Sequence, residues 1–490
     1  MDELLRTNVS HLSTADFIEV CRRIRQIAAN GPSQQRALAQ SSLPLTLKQR
    51  ILQLYHSQPT DTKAVRFGLQ ALSNIVTRNP TVQGQLVDIL WEADPVGNPE
   101  MSLGGLISIA DPPTRDTLVI FMLNTVHSNP EVFRRWLGLT STPLLLRQVF
   151  EHTELYRGDT TSLVFEVAYS LVQQAIALGL LPLLHQSLQS SEREQLHESA
   201  LAEMPIDPLT ITLLKFIDAY LNKELFGENE PKTTTIAPPT DLSKAHSELL
   251  DTLALWLMRM NDALQVASGR TSQVLQPNET VMQLSRELLA TYDKDISSPS
   301  AKMTDTFHID TLVNFYTALV LLLQGLRSAT QSKHFGQWME SSTIERLLEN
   351  TLDMLRYLDG VLPRMSKIGP QPHQIVGIEQ ASQQFAFVKR DLVAIIGNVV
   401  HGNTSLQNKT RELGGIDILL NQCNIDDNNP FIKEYALLAL RNLLTGNLEN
   451  QRWVQALQPQ GTTQHPVLTE LGLKTELDTE RGNTPRLRQL

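Results

Sequence analysis

Residues 387–413, FVKRDLVAIIGNVVHGNTSLQNKTREL, lie without a gap over residues 431–457, FIKEYALLALRNLLTGNLENQRWVQAL, at an offset of 44. Phe387 matches Phe431, Asn398 matches Asn442, Gly402 and Asn403 match Gly446 and Asn447, and Gln407 matches Gln451. The same skeleton returns in the N-terminal part as AVRFGLQALSNIVTRNPTVQ, with Asn74, Asn79 and Gln83 in the matching places. A fainter copy is TLVIFMLNTVHSNP, with Asn124 and Asn129. Self-similarity at a fixed period is the mark of units that bury a face only when a neighbour stacks on it.

The register can be checked within the chain. Five and two residues before the first Asn of each copy, and two after it, stand Leu69, Leu72, Val76; Val119, Met122, Val126; Val393, Ile396, Val400; and Leu437, Leu440, Leu444. All are apolar at i, i+3, i+7, one stripe of an α-helix. The face carrying the Asn tolerates polar residues: Arg66, Gln70, Ser73, Asn74 and Thr77 in one copy, Glu434, Leu438, Arg441, Asn442 and Thr445 in another. Such a helix buries its first face against neighbours and presents the second. Gly414-Gly415 then suits a tight corner before Ile416, Ile418, Leu419 and Leu420, because glycine enters the left-handed region at little cost. A period of about 40–47 residues is that of armadillo and HEAT arrays. The expected fold is all-α, an armadillo/HEAT-like helical solenoid.

Composition agrees with this class. The chain has 490 residues, 41% of them hydrophobic and 19% charged, which is globular rather than disordered. With 42 Lys and Arg against 52 Asp and Glu, the net charge is −10, which argues against nucleic acid as a partner. The two cysteines, Cys21 and Cys423, form neither a disulfide framework nor a zinc set and read as reduced thiols. The start, MDELLRTNVS, lacks the basic and apolar regions of a secretory signal. The greasiest window, Leu312 to Leu326, is interrupted by Asn314, Thr317 and Gln324 and is too short for a membrane span. The expectation is a cytoplasmic protein with no membrane insertion.

Breaks in the helical pattern divide the chain into N-terminal armadillo-like repeats over 1–222, a Pro/Thr-rich linker over 223–245 and a helical middle region over 246–365. A loop over 366–380, C-terminal repeats over 381–457 and a partly ordered tail over 458–490 complete the expected order, with a further loop at Tyr292–Thr306.

The sites expected from this pattern are surfaces rather than chemistry. No His-Glu-x-x-His, Gly-x-Ser-x-Gly, Gly-x-Gly-x-x-Gly or kinase set occurs, so no catalytic residue, cofactor or metal is assigned. Asp426-Asp427-Asn428-Asn429 lacks the alternating ligands and closing Glu of a calcium loop and reads as a turn before Pro430. For the Asn ladder, Asn74, Asn124, Asn398 and Asn442, two readings stand. Each amide can bond a neighbouring carbonyl and fix its repeat, or it can bond the backbone of an extended peptide. Peptide-carrying import adaptors place a Trp one turn before the Asn, whereas this chain has Gln70, Ile120, Ala394 and Leu438 there, which favours the structural role. The second Asn of each copy, Asn79, Asn129, Asn403 or Asn447, reads as a cap. The candidate partner-binding stripe is Arg66, Gln70, Asn74, Asn124, Arg390, Asn398, His401, Arg441 and Asn442. Arg22, Arg23 and Arg25, and Arg486 with Arg488, are short basic clusters that read as solvated.

The stretch 412–451, ELGGIDILLNQCNIDDNNPFIKEYALLALRNLLTGNLENQ, resembles the C-terminal signature domain of the ataxin-10 family. The resemblance covers about seventy residues from Phe387 to Leu457; elsewhere it rests on the repeats alone, and the low charge and loop insertions look fungal. It implies an armadillo-like fold, a cytoplasmic location, no catalytic activity, and a scaffold that regulates cytokinesis through protein partners of unknown identity. Homo-oligomerisation is compatible with it. The alternative function is an armadillo-type receptor or chaperone for extended peptides.

Overall fold

The computed structural model describes residues 4, 9–57, 62–92, 102–109, 111–139, 142–155, 163–189, 208–226, 242–272, 299–332, 335–338, 341–361, 364, 387–457, 466–478 and 484–489. After a 3-10 turn at Val9–His11, its α-helices, in chain order, begin with α1 (Thr14–Ala29), α2 (Pro32–Ala39), α3 (Leu43–Ser57), α4 (Thr62–Val76), α5 (Pro80–Trp91) and α6 (Leu106–Ile109). They continue as α7 (Pro112–Val126), α8 (Pro130–Leu137), α9 (Thr142–Leu155), α10 (Leu163–Ala177), α11 (Leu181–Gln189), α12 (Pro208–Phe226) and α13 (Leu242–Ser272). The second half comprises α14 (Pro299–Thr330), α15 (Phe335–Trp338), α16 (Ser341–Val361), α17 (Val388–Val399), α18 (Thr404–Glu412), α19 (Gly415–Asn421), α20 (Ile432–Leu444), α21 (Leu448–Ala456) and α22 (Pro466–Glu470). This is the all-α solenoid of the sequence reading, and no helix among the described residues is long and apolar enough to cross a membrane.

Two compact units, Met1–Thr252 and Leu253–Leu490, divide the chain within α13. In the first, α1, α4, α7 and α10 lie side by side as a ladder; in the second, α14, α17 and α20 do. The stripe read from the sequence is what stacks. Leu72, Met122 and Ile396 are fully buried at 0% exposure, and Leu440 is at 8%. Close stacking is enforced at Gly397 of α17, where a Cβ would meet Ala439 Cβ of α20 at 3.1 Å. Gly414 turns the expected corner at φ +68°, and the following Gly415 faces Thr410 Cγ2, which an added Cβ would meet at 2.5 Å.

The repeats are locked by a relay of side-chain amides. Asn79, Asn129, Asn403 and Asn447 cap the helices that follow them, each Oδ1 accepting from the backbone N–H three residues on, at 3.0–3.4 Å. One turn into α2, α5 and α18 stand Gln35, Gln83 and Gln407. Gln35 Nε2 donates to the carbonyls of Asn74 and Thr77 at 2.9 and 3.0 Å, at the C-terminus of the next inner helix. Gln83 Nε2 does the same to Asn124 and His127, at 2.8 and 3.4 Å. Gln407 Nε2 does so to Asn442 and Thr445, again at 2.8 and 3.4 Å. The capping Asn of the next repeat then returns an Nδ2 bond to the same Gln Oε1: Asn79 to Gln35 at 3.0 Å, Asn129 to Gln83 at 3.2 Å and Asn447 to Gln407 at 3.2 Å. Helix-end carbonyls that have no partner within their own helix are thus satisfied across the junction.

Three expectations change. Leu437, one of the apolar stripe positions, is 52% exposed. Its register partner Val393 is buried beneath α20, and no described helix covers α20 in the same way. The expected loop at Tyr292–Thr306 is helical from Pro299 onward, because a proline at the first helical position costs no hydrogen bond. In the tail, Leu473–Asp478 and Thr484–Gln489 pair as an antiparallel hairpin, with Glu476 opposite Arg486. The expected linker lies outside the described residues over 227–241, as does the loop over 366–380.

The relay predicts unequal effects at matched positions. Gln407→Ala leaves the helix-end carbonyls of Asn442 and Thr445 unpaired, with Asn447 keeping its bond to Asn408 Oδ1, and is expected to cost about 1–3 kcal/mol in urea unfolding. Gln451→Ala, whose side chain makes one exposed bond to Leu444 O, is expected to stay within about 0.5 kcal/mol of wild type.

Candidate partner-binding stripe

In the first unit the polar-tolerant face of α4 is open along Arg66, Gln70 and Asn74, all half-buried. It continues onto α7 through Ile120, 40% exposed, and the half-buried Asn124. Arg25 of α1 donates to Gln70 Oε1 at 2.7 Å, and Asn124 Nδ2 donates back to Ser73 Oγ of α4 at 2.9 Å. Asn74 makes no side-chain hydrogen bond among the described residues. Arg66 keeps its Nε buried and unpaired. Beside these, burial pushes the Asp116 carboxyl up despite Arg115, while burial and then Arg78 hold His127 below its usual range, so its ring is neutral at pH 7.

The second unit sets Arg390 in the first turn of α17, Asn398 and His401 at that helix's end, and Arg441 and Asn442 in the last turn of α20, and treats them differently. Arg390 bonds Asp391 Oδ1 through Nε at 2.8 Å and lies 4.7 Å from the Phe387 ring centre. Arg327 of α14 reaches the same Asp391 oxygen at 2.9 Å. Asn398 Nδ2 donates to Thr330 Oγ1 at 3.1 Å, and Asn442 Nδ2 to Gly397 O at 2.9 Å. Ala394, between Arg390 and Asn398, is buried, so the stripe on α17 is largely covered. His401 and Arg441 are exposed. Three of the four ladder Asn residues therefore tie a helix to its predecessor, and Asn74 alone offers an unbonded amide.

Sequence reasoning did not find the buried ion cluster behind α17. Lys389, 1% exposed, reaches Asp426 Oδ2 at 3.0 Å and Asp359 Oδ1 at 3.8 Å. Asp426 also accepts from Asn428 N at 3.2 Å and Asn429 Nδ2 at 3.0 Å, so the acidic turn is anchored by an interior lysine. The turn had been legible; its cation lay 37 residues upstream and was not. Equally unforeseen, Arg22 and Arg25 of α1 lie over Phe67 of α4, their guanidinium carbons 5.1 and 5.9 Å from the ring centre.

The chemistry this face offers is that of recognition. Guanidinium groups pair with carboxylates, and carboxamides pair with peptide backbone. Among the described residues no three His, Cys, Asp or Glu converge as a metal would require. The Cys21 thiol is buried and pushed up to about 12, mainly by desolvation.

Residues 388–486 match the family model described as the spinocerebellar ataxia type 10 protein domain. The ataxin-10 homolog of Dictyostelium discoideum is 44% identical over 94 residues, 19% of this chain and 15% of that protein. That of Debaryomyces hansenii is 27% identical over 247 residues, 48% of each chain. Ataxin-10 of Xenopus tropicalis is 31% identical over 134 residues, 27% of this chain and 28% of that one. The chain spans less than half the length of each of these relatives.

Two outcomes follow from the site geometry. Asn442→Ala, which removes the bond to Gly397 O, is expected to cost about 1 kcal/mol in chemical denaturation, and Asn74→Ala to stay within about 0.5 kcal/mol of wild type. Because its thiolate is suppressed, Cys21 is expected to resist a disulfide-exchange reagent at pH 8 and to react once the chain is unfolded in denaturant.

Proposed function

We propose, for a chain whose C-terminal segment belongs to the ataxin-10 family, that it acts as a non-enzymatic cytoplasmic scaffold that holds protein partners during cell division. The observation that carries the scaffold reading is the open face of α4 and α7, where Arg66, Gln70, Asn74, Ile120 and Asn124 line adjoining helices without belonging to the packed core. A ladder of parallel helices offers an extended strip, and affinity then comes from laying a partner segment along it rather than from bond-making. The role in cytokinesis is supported by the family resemblance.

The test is proximity labelling in dividing cells with the full chain, comparing wild type with Arg66→Ala/Gln70→Ala and with Arg441→Ala. Selective loss of division-associated neighbours from a variant with an unchanged circular dichroism spectrum is the expected result. An unchanged set of neighbours for both variants would remove the stripe from the reading. Neighbours unrelated to division would remove the cytokinesis role.

A further inference from the structure

Two sequence features that look unrelated meet in the first unit. The Arg22-x-x-Arg25 pair of α1 and the Arg66–Asn74 stripe of α4 lie on adjoining helices and share Phe67. The ring holds both guanidinium groups over its face, and the Arg25–Gln70 bond of 2.7 Å fixes one of them further. Their positive charge is weakly compensated. Arg22 has only an exposed i, i+3 pair with Glu19 at 3.1 Å, an interaction of little strength in water. Neither Arg25 nor Arg66 has a carboxylate partner among the described residues, in a chain whose net charge is −10.

We propose that α1 and α4 form a docking site for a short, extended, acidic segment of a partner protein, its carboxylates meeting Arg22, Arg25 and Arg66 and its backbone meeting the Asn74 amide. This rests on the scaffold reading and gives its partner a chemistry. The sign of charge changes on the next helix, where Asp116 stands on the same face of α7 and Ile120 is exposed. The acidic stretch therefore ends over α4, and an apolar residue follows over α7. Adjacent helices pack about 8–10 Å apart and an extended chain advances about 3.3 Å per residue, so contacts recur about every three residues. The segment is acidic-x-x-acidic-x-x-apolar. A phosphodiester chain or an anionic membrane needs a broad basic surface, which the carboxylate on α7 interrupts.

The test is fluorescence anisotropy of the full-length protein with a labelled twelve-residue Gly/Ser peptide carrying Glu, Glu and Leu at that spacing. Controls are the same peptide with Gln for Glu, oligo-dT, and vesicles containing phosphatidylserine. The Glu peptide is expected to bind, more weakly as salt rises, and the Gln peptide at least tenfold more weakly. Arg22→Gln/Arg66→Gln is expected to lose at least tenfold, and Ile120→Ser several-fold. Should the double variant unfold by circular dichroism, Arg22→Gln alone, at an exposed position, is expected to lose at least threefold. Equal binding of Glu and Gln peptides, wild-type affinity in the folded arginine variants, or tighter binding of oligo-dT or vesicles overturns the proposal. Failure of the peptide while wild-type chain still captures division-associated neighbours sinks this inference alone. Loss of peptide binding in variants whose neighbours in cells are unchanged leaves the docking site and removes the stripe from the scaffold reading.

Discussion

The structure depends on one arrangement: a glutamine amide that reaches out of its own repeat to the carbonyls ending the next inner helix. Helix termini leave polar groups that must find partners, and burying them unpaired costs about 1–3 kcal/mol each. Gln35, Gln83 and Gln407 meet that demand with one nitrogen, and their oxygens receive the Asn that starts the following helix. Junctions in both units share this geometry despite little other sequence in common. Hydrophobic stacking supplies most of the driving force, and the amides fix the register in which it is spent.

The inner helices were legible because an apolar stripe at i, i+3, i+7 cannot be satisfied without a neighbour on that side. The capping Asn residues were legible for the same local reason, a polar side chain before a proline or at a helix start. The relay was half-visible: Gln83, Gln407 and Gln451 stood out as matched residues, yet nothing local says where a glutamine at the fourth helical position points. That needs the neighbouring repeat. Leu437 failed for the complementary reason, since its spacing is that of a core residue and only the stacking order leaves it uncovered.

The candidate site was read with the right residues and an uneven outcome. Arg66, Gln70, Asn74 and Asn124 share an open face, whereas Asn398 and Asn442 spend their amides on preceding helices. Arg390 is drawn into a charge cluster with Asp391 and Arg327 from a helix some sixty residues earlier. Long-range ion pairs of this kind, and Lys389 with Asp426, follow from tertiary placement and have no periodic signal in the chain. The basic triplet near the N-terminus looked solvated for the same reason, because Phe67, which orders its Arg22 and Arg25, belongs to another helix.

Since every relay glutamine straddles two repeats, the smallest piece that can come loose is a junction and not a repeat. Whole-repeat duplications conserve each amide's partners, while a one-residue slip in a corner unmakes bonds on both sides of it. Cooperativity therefore spreads only from neighbour to neighbour, as in a row of coupled spins. In the second unit Gln451 returns to its own repeat, so α21 is held from the side of α18, where Gln407 and Arg411 meet Asn447 and Asn450, and amide exchange there follows the opening of that one junction.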